Sequence, residues 1–195
     1  VEGTIEHHFW ANLACDESQI QFWAWIDMSE CMGKKATIES YRGKQDGMAA
    51  ALAMVESSDQ LRSLKPLYKE KGRPQFHFSQ NTGWNNDPNG MVYHDGHYHL
   101  SWQSNPFGTM WNNMYWGHAV SEDLVHWKEM PRIIRVGANS AKGQPTHPAM
   151  VKNHAFSGGA AIDHNNTLGK QVGETKTIFV AITDTNGGDK AKDGG

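Results

Sequence analysis

Trp84-Asn85-Asn86-Asp87-Pro88-Asn89-Gly90 sets one carboxylate, Asp87, among neutral amides, a proline and a glycine. Pro88 fixes its own φ and pushes Asp87 out of the helical region, while Asn89-Gly90 permits positive φ. The run predicts a turn with the Asp87 side chain at its mouth, followed by an extended apolar stretch from Met91 to Tyr93. Taken alone, Asp-Pro-Asn-Gly reads first as a turn aspartate that bonds its own backbone.

Around that turn the pattern is one of short strands. Met91-Val92-Tyr93-His94 and His97-Tyr98-His99-Leu100 flank Asp95-Gly96, a strong hairpin signal. A third strand is expected over Tyr115 to Ser121, and a fourth over Val125 to Met130 after the Ser121-Glu122-Asp123 turn. Ala155 to Asp163 and Thr177 to Thr183 read as two more. Four antiparallel strands in such a span make one propeller blade, and the later pair would begin a second. Arg135 to Lys152 reads as a long loop, and Gly187 to Gly195 as a polar tail. His97 and His99 share a strand face near His94, but no Cys, Asp or Glu at ligand spacing completes a metal site, so they read as strand histidines.

Upstream the character differs. Gln19 to Asp27 is β-rich with partial alternation, Ala36 to Tyr41 looks like another strand, and Gly33-Lys34-Lys35 between them is turn-like. Met48 to Val55 is alanine-rich, and its periodicity fits helix or strand. Residues 1–60 therefore read as part of a small β-sandwich-like module, with a spacer role favoured over carbohydrate binding. Residues 61–72 read as a linker, and residues 73–195 as the start of a second domain. Cys15 and Cys31 could pair or could both be buried thiols; two cysteines do not make a disulfide framework.

Composition narrows the function. The 18 basic and 21 acidic residues are interspersed and give a net charge of −3, so no basic block suggests nucleic acid. No run approaches the ~18 apolar residues of a membrane span. Eight tryptophans in so polar a chain suit sugar binding, since indole stacks on sugar faces while its N–H donates, although tryptophan also builds cores.

Beyond the Asp87 turn, Arg73-Pro74-Gln75-Phe76-His77-Phe78 precedes it and Tyr98 to Pro106 follows it. Trp111-Asn112-Asn113-Met114-Tyr115-Trp116-Gly117-His118-Ala119, Ser121 to Trp127, Phe156-Ser157-Gly158-Gly159-Ala160 and Asp163 to Thr167 come after. In order and spacing, over roughly residues 73 to 186, this resembles glycoside hydrolase family 32, the invertases, inulinases and levanases that cleave β-fructosides. The resemblance implies an all-β fold, a five-bladed β-propeller with its active site in the central funnel, of which about two blades are present here. It implies no metal and no other cofactor, a sucrose or fructan substrate, and an extracellular or periplasmic location. No charged-then-apolar leader follows Val1, so any export signal is expected to have been removed or to be absent from this chain.

Retaining glycosidases use two carboxyl groups about 5 Å apart, one as nucleophile and one as acid and then base. The nucleophile must be ionised, and a donor-rich turn stabilises a charged carboxylate. The resemblance assigns that role to Asp87. By the same positional match Asn86, Gln103, Trp111 and Ser157 would line the fructosyl subsite, and Trp84 and Trp116 would pack around it. The family also carries an Arg-Asp-Pro motif for transition-state stabilisation and a Glu-Cys motif for the general acid. Neither follows Asp87, and Glu30-Cys31 lies upstream in the unmatched module. The chain is therefore expected to be an incomplete and inactive piece of a β-fructosidase. Two other readings are a non-catalytic fructan-binding protein and a related five-bladed hydrolase of another sugar, such as an arabinoside. The Trp-Gly-His-Ala and Asp-Leu-Val-His-Trp segments weigh against the last.

Overall fold

The Asp87 segment does not turn. It lies within an 11-residue strand, β2 (Trp84–His94), the edge of an antiparallel sheet. Its pairing with β3 (His97–Asn105) slips between Asn85 and Pro88 and again between Asn89 and Val92. Each slip sets three steps on β2 against two on β3, which is one extra residue per bulge. Pro88 and Gly90 (φ +51°) supply the turn-like chemistry, and both suit bulges in an edge strand. The sequence signal for special backbone was thus correct in place and wrong in kind.

The structure is a computed structural model that describes residues 5–6, 9, 11–38, 47–60, 62, 68–136, 138–139, 150–151 and 154–185. It forms two compact units, Ala11–Arg73 and Val1–Trp10 with Pro74–Gly195.

In the larger unit, Asp95 and Gly96 both have positive φ (+50° and +78°), and the two-residue turn pairs His94 with His97 as expected. β3 then pairs with β4 (Tyr115–Ser121), and β4 with β5 (Lys128–Val136), both antiparallel. β5 begins later than the sequence suggested and runs past Pro131. The delay comes from Asp123, whose Oδ1 accepts the N–H groups of Val125 and His126 at 2.9 and 2.7 Å. The His126 imidazole and these backbone donors hold the Asp123 carboxyl far below the usual range. β6 (Ala138–Asn139) pairs with β1 (Ile5–Glu6), and β7 (Met150–Val151) adds in parallel to β5, inside the stretch expected to be loop. β8 (His154–Asp163) and β9 (Thr177–Thr185) form a separate antiparallel pair. The expected tail, 187–195, lies outside the described residues.

The sheet is covered on both faces, and the cross-strand register shows how. On one face Trp102 lies opposite Gly117, and its indole N–H donates to Gln80 Oε1 at 2.7 Å, which also accepts from Ser104 Oγ at 2.8 Å. Phe78 tilts against the same indole at 4.5 Å. On the other face Gln103 lies opposite Trp116, and β8 packs there. Trp102, Met114, Tyr115, Trp116 and Ala119 belong to the buried core.

The unit Ala11–Arg73 has no strand among its described residues. The Gln19–Asp27 segment opens on the end of a 3-10 turn and forms no strand. Asp16 caps the 3-10 turn Glu17–Gln19 by accepting from Ser18 N at 2.9 Å, and Asp27 accepts from Ser29 N at 3.0 Å at the start of a second short turn, Ser29–Cys31. Residues 36–38 likewise form no strand, and the rest of the strand expected to Tyr41 lies outside the described residues. No β-sandwich is present among the described residues. Met48–Ala53 resolves as a helix, α1, with Ala51 buried. Cys15 and Cys31 are both free, the first exposed and the second half-buried, so neither sequence reading of them holds. Arg62 lies over the Trp23 ring at 4.5 Å, and Arg73 binds Glu70 and draws its carboxyl down to about 2.

The strand histidines carry a pH dependence. His99 Nδ1 lies 3.0 Å from His118 Nε2 with the rings stacked, a contact that accommodates one proton and not two. Burial, and next the neighbouring His99, lower His118 from 6.5 to about 4; burial and then His94 and His97 lower His99. The unfolded chain therefore binds more protons below pH 6.5, and stability present above that pH is lost as pH falls toward 4. We expect the melting temperature to drop by several degrees across this window, and the drop to shrink in His118→Gln. An unchanged pH profile in the variant would contradict the assignment.

Candidate active site

Bulging frees Asp87 from the ladder and leaves its side chain exposed on the edge strand. Both carboxylate oxygens are engaged: Asn86 Nδ2–H donates to Oδ1 at 3.1 Å and Ser157 Oγ–H to Oδ2 at 2.7 Å. The second contact joins residues 70 apart in sequence. One donor on each oxygen restrains the orientation of the carboxylate.

Ser157 reaches Asp87 because β8 is tied to the sheet through its first residues. Gln103 Nε2–H donates to Ala155 O at 2.7 Å, and Trp116 Nε1–H to Phe156 O at 3.2 Å. Ala155 N–H donates to Met114 O at 2.9 Å, and Met114 N–H to His154 Nδ1 at 3.2 Å. Asn89, buried beneath the bulges, accepts from Gln103 N and Nε2 at 3.2 Å each when its amide is turned to match its neighbours.

Of the residues singled out from sequence, Asp87, Asn86 and Ser157 are in direct contact. Trp111 is 53 % exposed on the β3–β4 connection, with its ring 6.3 Å from Phe156 and 5.5 Å from His154. Asn105 shapes that connection, accepting from Phe107 N and Asn113 Nδ2 and donating to Met110 O. Gln103 lies deeper, 2 % exposed, its amide nitrogen committed to protein acceptors. Sequence reasoning treated Trp116 as packing and gave Asn89 no role beyond backbone. Their polar contacts are long-range, and no local pattern encodes them. Among the described residues no group of three His, Cys, Asp or Glu side chains is arranged to hold a metal ion. No helix among the described residues is long and apolar enough to cross a membrane.

Residues 77–192 match the glycosyl hydrolases family 32 N-terminal domain. The chain belongs to glycosyl hydrolase family 32. Levanase of Bacillus subtilis is 42% identical over 132 residues, covering 68% of this chain and 17% of the relative. The extracellular exo-inulinase of Aspergillus niger is 47% identical over 102 residues, covering 52% and 18%. The crystal structure of exo-inulinase from Aspergillus awamori is 46% identical, covers 54% of this chain and 19% of that one, and superposes with a TM-score of 0.45. The chain spans less than a fifth of the length of these family 32 relatives.

Proposed function

We propose that this chain carries the nucleophile of a retaining β-fructosidase acting on sucrose, inulin or levan. The observation that supports it most is Asp87 itself: an exposed carboxylate on a bulged edge strand, each oxygen held by one donor. Asp87 attacks the anomeric carbon of the fructosyl unit, the bond to the leaving oxygen breaks, and a fructosyl ester of Asp87 forms. Water then attacks that ester, releasing fructose and restoring the carboxylate. Asn86, Ser157 and Trp111 line the fructosyl subsite, the first two as hydrogen-bonding groups and the indole as an apolar wall. Gln103 supports that subsite from below.

The proton for the leaving oxygen comes from an acid that no Glu-Cys motif downstream of Asp87 supplies within residues 1–195. In this reading residues 73–195 are the first part of a five-bladed propeller, and residues 1–60, apart from the β1 strand that pairs with β6, are a supporting module joined by 61–72. The relatives named levanase and exo-inulinase favour a fructan substrate met outside the cytoplasm.

The test is fructose release. The intact protein should liberate fructose from sucrose, inulin or levan, and residues 1–195 alone should not, because acid-base catalysis contributes about 10²- to 10⁴-fold. Release by residues 1–195 near the intact rate would place the acid within them. Failure of the intact protein on all three would favour a binding protein.

A further inference from the structure

Trp116 is a core side chain that touches both halves of the site. Its indole is fully buried on β4, on the face that meets β8. Toward β2 it lies under the second bulge, so close that a Cβ on Gly90 would stand 3.1 Å from Cζ3. Toward β8 its N–H donates to Phe156 O, the carbonyl immediately before Ser157. The Asp87 strand and the Ser157 strand share no ladder: β2 belongs to the five-stranded sheet and β8 pairs with β9. We propose that Trp116 is a positioning residue that sets Ser157 Oγ onto Asp87 Oδ2, by clamping the Phe156 carbonyl while its ring fixes the bulge beside Asp87.

The physical case is one of reach. The Ser157 hydroxyl is on a short side chain, so its 2.7 Å contact with Asp87 depends on where the β8 backbone lies. β8 itself slips against β9 between Phe156 and Gly158, so its partner strand does not fix Ser157. The polar ties from the sheet do, and Trp116 holds the carbonyl immediately before Ser157. Removing its N–H leaves Phe156 O without that donor and lets the strand drift. A drift of about 1 Å in a catalytic contact costs up to ~10²-fold in rate.

The inference rests on Asp87 as nucleophile, and its test separates the two. In the intact protein, Trp116→Phe keeps an aromatic ring and removes the donor. We expect kcat to fall about ten- to hundredfold with KM changed far less. Crossed with Ser157→Ala, Trp116→Phe should cost less than about twofold, because a residue acting through Ser157 has nothing left to position. Equal losses in both backgrounds, or no loss in either, would overturn the role. If Trp116→Phe does not fold, 3-benzothienylalanine at position 116 keeps the bicyclic shape, replaces N–H by sulfur, and carries the same cycle. Asp87→Asn run alongside distinguishes the failures: an active Asp87→Asn rejects the nucleophile, whereas an inactive one with an additive cycle rejects only Trp116.

Discussion

Asp87→Asn in the intact protein lowers turnover by several orders of magnitude and shifts stability little. The substitution is nearly isosteric, and Ser157 can still donate to the remaining side-chain oxygen. What disappears is the attacking charge. If Asp87 served only the backbone of the bulged strand, asparagine would replace it well, because both residues bond nearby backbone in the same way. Turnover would then stay within a few-fold of the parent protein. Measuring kcat and the unfolding midpoint of the same preparation separates the two, since only a catalytic role couples a large rate loss to an intact fold.

A large effect on stability is expected at Gly117. It lies opposite Trp102 on β3, and a Cβ there would overlap Cε2 and Cζ2 of that indole. Trp102 cannot yield, being 2 % exposed, bonded to Gln80 and packed by Phe78. Overpacking of this kind costs about 1–3 kcal/mol and more where neighbours are rigid, so Gly117→Ala should lose about 3 kcal/mol or more in a urea titration. Gly159→Ala is the matched control, because nothing lies within 4 Å of its Cβ position and its φ is not in the left-handed region. It should change stability by less than about 0.5 kcal/mol. Similar losses at both glycines would mean that the sheet is not packed as described.

How much of this was legible in the sequence depended on whether the signal was local. Asp95-Gly96 announced its hairpin because two positive-φ residues between alternating strands have one common use. Tyr115–Ser121 was likewise read correctly as a strand. Asn86 to Gly90 carried equally strong local chemistry, yet a bulge and a turn ask for the same residues. Only the pairing with β3 distinguishes them. Gln19–Asp27 failed in the opposite way: its residues suit a strand, but no partner strand is present among the described residues of that unit. At the site, Asp87 and Asn86 were adjacent and visible. Ser157 was reached only through resemblance, since no pattern within the sequence links residues 70 apart. The burial of Gln103 and the indole bond of Trp116 arise from β8 packing on the sheet, which periodicity does not describe.

The central claim is that Asp87 forms the covalent bond to fructose, and a mechanism-based fructosyl reagent tests it directly. The intact protein should gain the mass of one fructosyl adduct, and peptide mapping should place it on Asp87. Asp87→Asn should take up none. An adduct on another carboxylate, with Asp87→Asn still active, would contradict the account.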